Sequence, residues 1–334
     1  MNRLRPQRAS IGLAILLALA TLMLMSGCGR QQTSSEPFRI TINTWVGFAP
    51  LYLAQEKGFF KKHGLQNVEI VKMDDAAARK VSMEAGRIEG YASSVDNWAL
   101  DSAHGVHGKI VMGFDESAGG DGIVATKSIK TMSDLKGKTI AAQPGMPGQF
   151  LLFHLLRKAG LSPSDVKFVE MDSDKAGAAF VAGKLDAAVT WEPWLSKAST
   201  AGGHILASTK DNRGLIVDVL VVPPDVLSKR PKDVQAVMQA WFDALNYWKA
   251  HRDESDKIMS KALGLKPADF AAMCAGVNHL DLDENRAYFG ASGKKGPIFE
   301  VFDSASRVWL GQGITKQSTK SGEEIDLSLL AGLK

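Results

Sequence analysis

The sequence predicts an α/β protein of two similar lobes with a ligand cleft between them, and three observations carry that expectation. Short β-branched runs alternate with helix-forming runs from Phe38 onward. The resulting β-α-β-α-β rhythm begins again near Lys127. One further β-branched run, Leu215 to Val222, follows the second rhythm and precedes several helical stretches, as expected of a chain returning to its first lobe.

Phe38 to Trp45 alternates as a strand. Pro50 to Lys62 is helical, with Leu51, Ala54 and the Phe59-Phe60 pair on one face, and Gly64 ends it. Val68 to Lys72 is a second strand, Ala76 to Glu84 a helix closed near Gly86, and Gly90 to Ser93 the next strand. Lys109 to Phe114 is a strand followed by a loop. In the second unit, Thr131 to Lys138 leads into the strand Thr139 to Gln143, and a Gly- and Pro-rich loop opens the helix Gln149 to Ala159. Val166 to Met171, Lys175 to Ala182 and Ala187 to Trp191 then read as strand, helix and strand. After Leu215 to Val222 come the helices Lys232 to His251, Asp253 to Leu263 and Pro267 to Gly276, while residues after Gly290 carry no motif. These assignments give residues 38–125 to the first part of lobe 1, 126–213 to lobe 2, and 214–334 to the return and C-terminal helices. Two crossings between lobes create a cleft, and ligands of such sheets lie beyond the carboxyl ends of the strands.

The N-terminus predicts the compartment. Arg3, Arg5 and Arg8 precede an almost wholly apolar run from Ile11 to Met25. That run is short for a spanning helix, which needs about 20 residues, and has the length of a signal-peptide core. It ends in Met25-Ser26-Gly27-Cys28, which resembles the bacterial lipobox, whose cysteine becomes the acylated N-terminus. Residues 1–27 are then a lipoprotein signal peptide, Cys28 the lipidation site, and 28–37 a polar tether. The expected product is anchored by lipid to the outer face of the bacterial membrane.

Removing the signal removes three of the 40 basic side chains and leaves them nearly balanced by 36 acidic ones. No basic block survives, which argues against nucleic acid. Cys274, alone once Cys28 is acylated, reads as a small buried hydrophobe in an alanine-rich stretch.

Four segments carry a resemblance. They are Asn43-Thr44-Trp45-Val46-Gly47-Phe48-Ala49-Pro50-Leu51-Tyr52-Leu53-Ala54 with Lys57-Gly58-Phe59-Phe60; Met132 to Lys138; Ala179 to Ala187; and Trp191-Glu192-Pro193-Trp194. In this order they resemble the nitrate/sulfonate/taurine class of periplasmic solute-binding proteins. The resemblance implies the type II periplasmic-binding fold, hinge closure around a solute, an ABC permease and ATPase as partners, and usually a monomer. Relatives in that superfamily that make the thiamine pyrimidine carry a cysteine-rich iron motif that this chain lacks, so no enzyme is expected.

The ligand is read from the side chains. Phe114 to Gly122 places Asp115, Glu116 and Asp121 on what reads as a glycine-bearing loop opening on the cleft. Clustered carboxylates repel an anion and suit a cation, and a planar guanidinium or amidinium suits them best. Asp96 follows the preceding strand, Glu192 lies between two tryptophans, and Asp218 lies within the return strand. Trp45, Trp191 and Trp194 offer flat faces for a delocalised cation. Each residue has a plainer role open to it: a solvated loop for Asp115 and Glu116, a hinge turn for Asp121, lobe packing for Trp191 and Trp194, a cap or ion pair for Glu192, an ion pair for Asp218, and a helix cap for Asp96. The expected solute is a small guanidine- or amidine-like cation. A sulfonate, a thiamine-pyrimidine-like solute, or a sensor role for a membrane signalling protein are the alternatives.

Two further motifs carry no chemistry. His104-Gly105-Val106-His107 lacks the third and fourth ligands a metal needs. Gln143 to Gln149 lacks the Gly-Lys-Ser/Thr ending of a nucleotide loop, and reads instead as a helix N-terminus facing the cleft. No cofactor, metal or catalytic set is expected.

Overall fold

The computed structural model describes residues 36–290 and 294–333, in two sheets flanked by helices. The expected signal peptide, the Cys28 acylation site and the tether up to residue 35 lie outside the described residues.

The first sheet contains β1 (Phe38–Ile42), β2 (Val68–Lys72), β3 (Gly90–Ser94) and β4 (Lys109–Ser117). The second contains β5 (Asp121–Ala125), β6 (Thr139–Ala142), β7 (Lys167–Glu170), β8 (Ala187–Trp191) and β9 (His204–Ser208). The chain then re-enters the first sheet as β10 (Val217–Val222) and β11 (Val277–His279). Strand orders are β11-β4-β10-β3-β1-β2 and β7-β6-β8-β5-β9. Each sheet has a parallel trio (β2-β1-β3; β7-β6-β8) bordered by one antiparallel strand that has come from the other lobe, β10 or β5. The repeated rhythm in the sequence therefore corresponds to a repeated topology.

Local chemistry accounts for the helix boundaries. Pro50 starts the helix Pro50–Glu56 at a position where its missing N–H costs nothing. Gly58, at φ 72°, then splits the single expected helix into Pro50–Glu56 and Phe59–Lys62. Asp75 caps Ala76–Glu84 through the amides of Ala77 and Ala78 (2.8 and 3.1 Å). The cap of Val95–Ala103 is Ser94, which accepts from the Asn97 amide, so Asp96 is freed from the capping role open to it.

Two expectations are corrected here. The segment after Phe114 is not a loop: β4 continues to Ser117, and Asp121 begins β5. Backbone pairing of Val217 and Asp218 on one side and Val277 to His279 on the other holds the acidic residues extended. Second, the first crossing falls between Ser117 and Asp121, so residues 121–125 pair within the second sheet, ahead of the boundary expected at 125. The stretch after Gly290 falls in the region expected to hold C-terminal helices. Helix Pro297–Gly311 buries Phe302 and Trp309, and the Trp309 indole donates to the backbone carbonyl of Asp96 at 2.9 Å.

The crossings are bound to one another. Ser117 N–H donates to the Ile216 carbonyl at 3.0 Å, and the Ser117 and Thr209 hydroxyls lie 2.8 Å apart. Both link the outgoing segment to the returning one.

Candidate functional site

A cavity of about 230 Å³ opens where the two sheets meet, at the strand ends the topology selects. Trp45 stands just beyond β1, Asp218 lies near the start of β10, and both belong to the first lobe. Asp121 begins β5, Trp191 ends β8, and Glu192 follows it, all in the second lobe. Met146 and Pro147, at the N-terminus of helix Pro147–Lys158, complete this wall.

Behind the wall the acidic residues gather. Asp115 on β4 and Asp218 on β10 are direct cross-strand partners, and like charges so placed repel. On its other side Asp218 pairs with Ser94, and Asp96 lies two residues further along that chain. Asp96 and Asp115 are fully buried, and Asp121 is 7% exposed. The Trp45 indole donates to Asp115 Oδ1 at 3.0 Å. Gly47 makes that approach possible, since a Cβ there would lie 2.2 Å from Asp115 Oδ2 and 2.3 Å from Trp45 Nε1. Among the described residues, Asp115 Oδ2 and both oxygens of Asp96 have no partner in hydrogen-bond geometry. The Ser94 hydroxyl and nearby amides ease the Asp96 charge without offsetting its burial.

Burial dominates the electrostatics. It pushes the Asp96 carboxyl up to about 7, and the charge on Asp121 adds to the effect. It pushes Asp115 up to about 7, eased by the Trp45 donor and reinforced by Asp121 and Glu116. It pushes Asp121 up to about 6, eased by Ser117. Asp218 is raised well above the usual carboxylate range, first by burial and then by Asp115, Asp121 and Asp96, with Arg79 opposing. Arg79, buried in helix Ala76–Glu84, donates to the Ala92 carbonyl at 2.8 Å and lies over the Tyr91 ring. The other basic group beside the cluster is His279, Asp115's partner on β11, and burial pushes it down to about 3, leaving it neutral.

Not every expected residue joins the group. Glu116 follows Asp115 on the same strand and therefore faces the opposite side. There it takes both Arg213 donors, Nε at 2.9 Å and Nη2 at 2.6 Å, and the Gly214 amide. It is an ion-paired residue on the far face, not part of the cleft. Trp194 is also absent from the cavity wall: it begins helix Trp194–Thr200, packs against Gly177 and lies under Lys197. Glu192 lines the cavity and also caps that helix, accepting from the Ser196 amide at 3.1 Å and hydroxyl at 2.9 Å. Sequence reasoning missed Leu263, Leu265 and Met273, which also line the cavity, and Arg79, which lines a small neighbouring pocket together with Asp218. The sequence signal for the two leucines was their position on each side of Gly264, between two helices, and Met273 had no such signal.

Among the described residues, no group of three or more His, Cys, Asp or Glu side chains is placed to hold a metal ion. Cys274 is buried, and burial pushes its thiol up to about 12, far from a reactive thiolate.

The family model described as "NMT1/THI5 like" matches residues 45–255, the span that carries the cavity acids. The chain belongs to the NMT1/THI5-like family. A putative binding protein of Brucella abortus is 27% identical over 70% of this chain and 73% of its own length. A putative aliphatic sulfonates-binding protein of Bacillus subtilis is 27% identical over 74% of this chain and 77% of its own length. The chain is thus homologous to sulfonate- and taurine-binding proteins. Its fold matches the periplasmic aliphatic sulphonate binding protein SsuA of Escherichia coli, with a TM-score of 0.74, 18% identity, and 88% and 92% of the two chains covered. The desulfurization enzyme DSZB shares the architecture at a TM-score of 0.61 with 14% identity, covering 88% of this chain and 97% of its own. Fold alone therefore does not separate binding from catalysis.

Proposed function

We propose that this chain is the periplasmic solute-binding component of an ABC-type importer, held to the membrane by a lipid on Cys28, and that its solute is a small organic cation of guanidine or amidine type. Family membership and the names of its relatives support the transport role. One observation carries the choice of charge. Asp121 and the partly buried Asp218 line the cavity, Asp96 and Asp115 lie fully buried behind it, and the four carboxyls repel one another, with Arg79 as the opposing charge.

A planar cation with several N–H donors answers more than one of these carboxylates at once. Trp45 and Trp191 flank it, one from each lobe. Asp218 and Trp45 meet the solute from the first lobe, and Asp121 and Trp191 from the second. The solute therefore binds the closed arrangement better than the open one and shifts the population toward it. The closed surface is what the permease recognises. No bond is made or broken.

A sulfonate is the second reading, favoured by the relatives' names and by the helix N-terminus at Pro147 on the cavity wall. It would set an anion beside Asp121 and Asp218, a like-charge contact that costs several kcal/mol when desolvated.

A thermal-shift panel decides between them. Guanidine, methylguanidine and agmatine should raise the melting temperature, and urea, taurine, an alkanesulfonate and nitrate should not. A ligand at about 100 times its dissociation constant adds about 2.7 kcal/mol. Stabilisation by sulfonates alone would overturn the cation assignment.

A further inference from the structure

The cavity has two chemistries. Beside its acidic wall, Met146, Pro193, Ile216, Leu263, Leu265 and Met273 supply apolar side chains to the lining. Leu263, Leu265 and Met273 come from one place: the end of helix Arg252–Leu263, the turn at Gly264 (φ 70°), and helix Pro267–Cys274. All three are only partly buried by the protein itself. This segment lies beyond residue 255, where the family model stops matching, whereas Met146, Pro193 and Ile216 lie within the matched span.

Size adds a constraint. One liquid water occupies about 30 Å³, and a bare guanidinium is the size of only a few waters. In a cavity of about 230 Å³ it would leave the leucines and Met273 facing solvent. Sites for drug-sized molecules run to roughly 300–1,000 Å³, so the occupant is also not large.

We propose that the solute is a cation bearing one short apolar substituent, an alkyl- or aryl-substituted guanidine or amidine, and that Leu263, Leu265 and Met273 select the substituent. This rests on the cationic head-group reading above and adds the tail. The head sits against Asp121 and Asp218, and the tail covers the apolar wall, completing the burial the protein leaves unfinished.

Calorimetric titration of the full-length protein with guanidine, methylguanidine, propylguanidine, butylguanidine and phenylguanidine tests it, with butylurea as the uncharged match and butanesulfonate as the anionic one. Affinity should rise roughly fourfold per buried methylene along the alkyl series, and butylurea should not bind measurably. Leu265→Ala should then weaken butylguanidine about tenfold and leave guanidine itself within about twofold, the loss scaling with the apolar contact removed. Equal affinity for guanidine and butylguanidine would overturn the tail and leave the cation reading standing. Binding of butanesulfonate without any guanidine would overturn both. If Leu265→Ala fails to fold, the ligand series on the unsubstituted protein still decides.

Discussion

Asp115 and Glu116 are adjacent in sequence and occupy one strand, yet they live in opposite electrostatic worlds. Glu116 turns to the far side of the sheet, where Arg213 and the Gly214 amide take both its oxygens. Asp115 turns toward the cleft, where it accepts one bond from Trp45 and faces Asp218 across the ladder. The far side is a finished ion pair, while the near side carries acceptor capacity that the protein does not fill. A satisfied ion pair of this kind serves the fold, whereas a buried acceptor without a protein partner calls for a water, an ion or a solute to complete it.

That contrast breaks or sharpens under substitution. The largest effect is expected at Asp218→Asn, which should cost guanidinium binding about 2–5 kcal/mol by removing a partly buried charge partner on the cavity wall. The same change should raise the melting temperature of the ligand-free protein at pH 8, because it relieves repulsion. A variant that lost affinity only by unfolding would break the assignment. Asp115→Asn should cost about 1–3 kcal/mol of binding with little change in the free protein's melting, since the amide oxygen can still accept from Trp45. Both are read by titration alongside thermal melts.

The pH dependence of the free protein comes next. Asp96 and Asp115 are pushed up to about 7 and Asp121 to about 6, from an ordinary 3.8. Between these limits the folded state holds more protons than the unfolded state, so stability falls as pH rises through the window. Denaturant unfolding should find the ligand-free protein more stable at pH 5 than at pH 8. A cation should reverse that trend, because it favours the ionised carboxylates. The smallest effect belongs to the other face: Glu116→Gln should cost about 1 kcal/mol of stability, since Arg213 is half exposed and its pairing is screened. Solute affinity should not change, and a large loss there would mean that the two faces are coupled.

Much of the fold was legible because its rhythm is periodic. Strands such as Phe38–Ile42 and Ala187–Trp191 carry apolar or β-branched runs, and the return strand stands alone between helices. Strands β5, β9 and β11 were not legible. Asp121-Gly122 looks like a turn, His204–Ser208 is a short edge, and Val277–His279 is three residues long, so tertiary pairing rather than local pattern makes each a strand. At the site, the residue types were readable but their faces were not. Asp115 and Glu116 look alike until the strand separates them, and Trp194 looks like Trp191 until helix packing claims it. Arg79 reads as a surface arginine on a polar helix, and only the assembled sheet buries it.

Proton release on binding tests the central claim most directly. Titrating guanidinium at pH 6.5 in buffers of different ionisation enthalpy measures the protons lost or gained as the complex forms. The account predicts release, because a cation among half-protonated aspartates drives their protons off. Guanidinium binding with no proton released, or sulfonate binding with protons taken up, would contradict it.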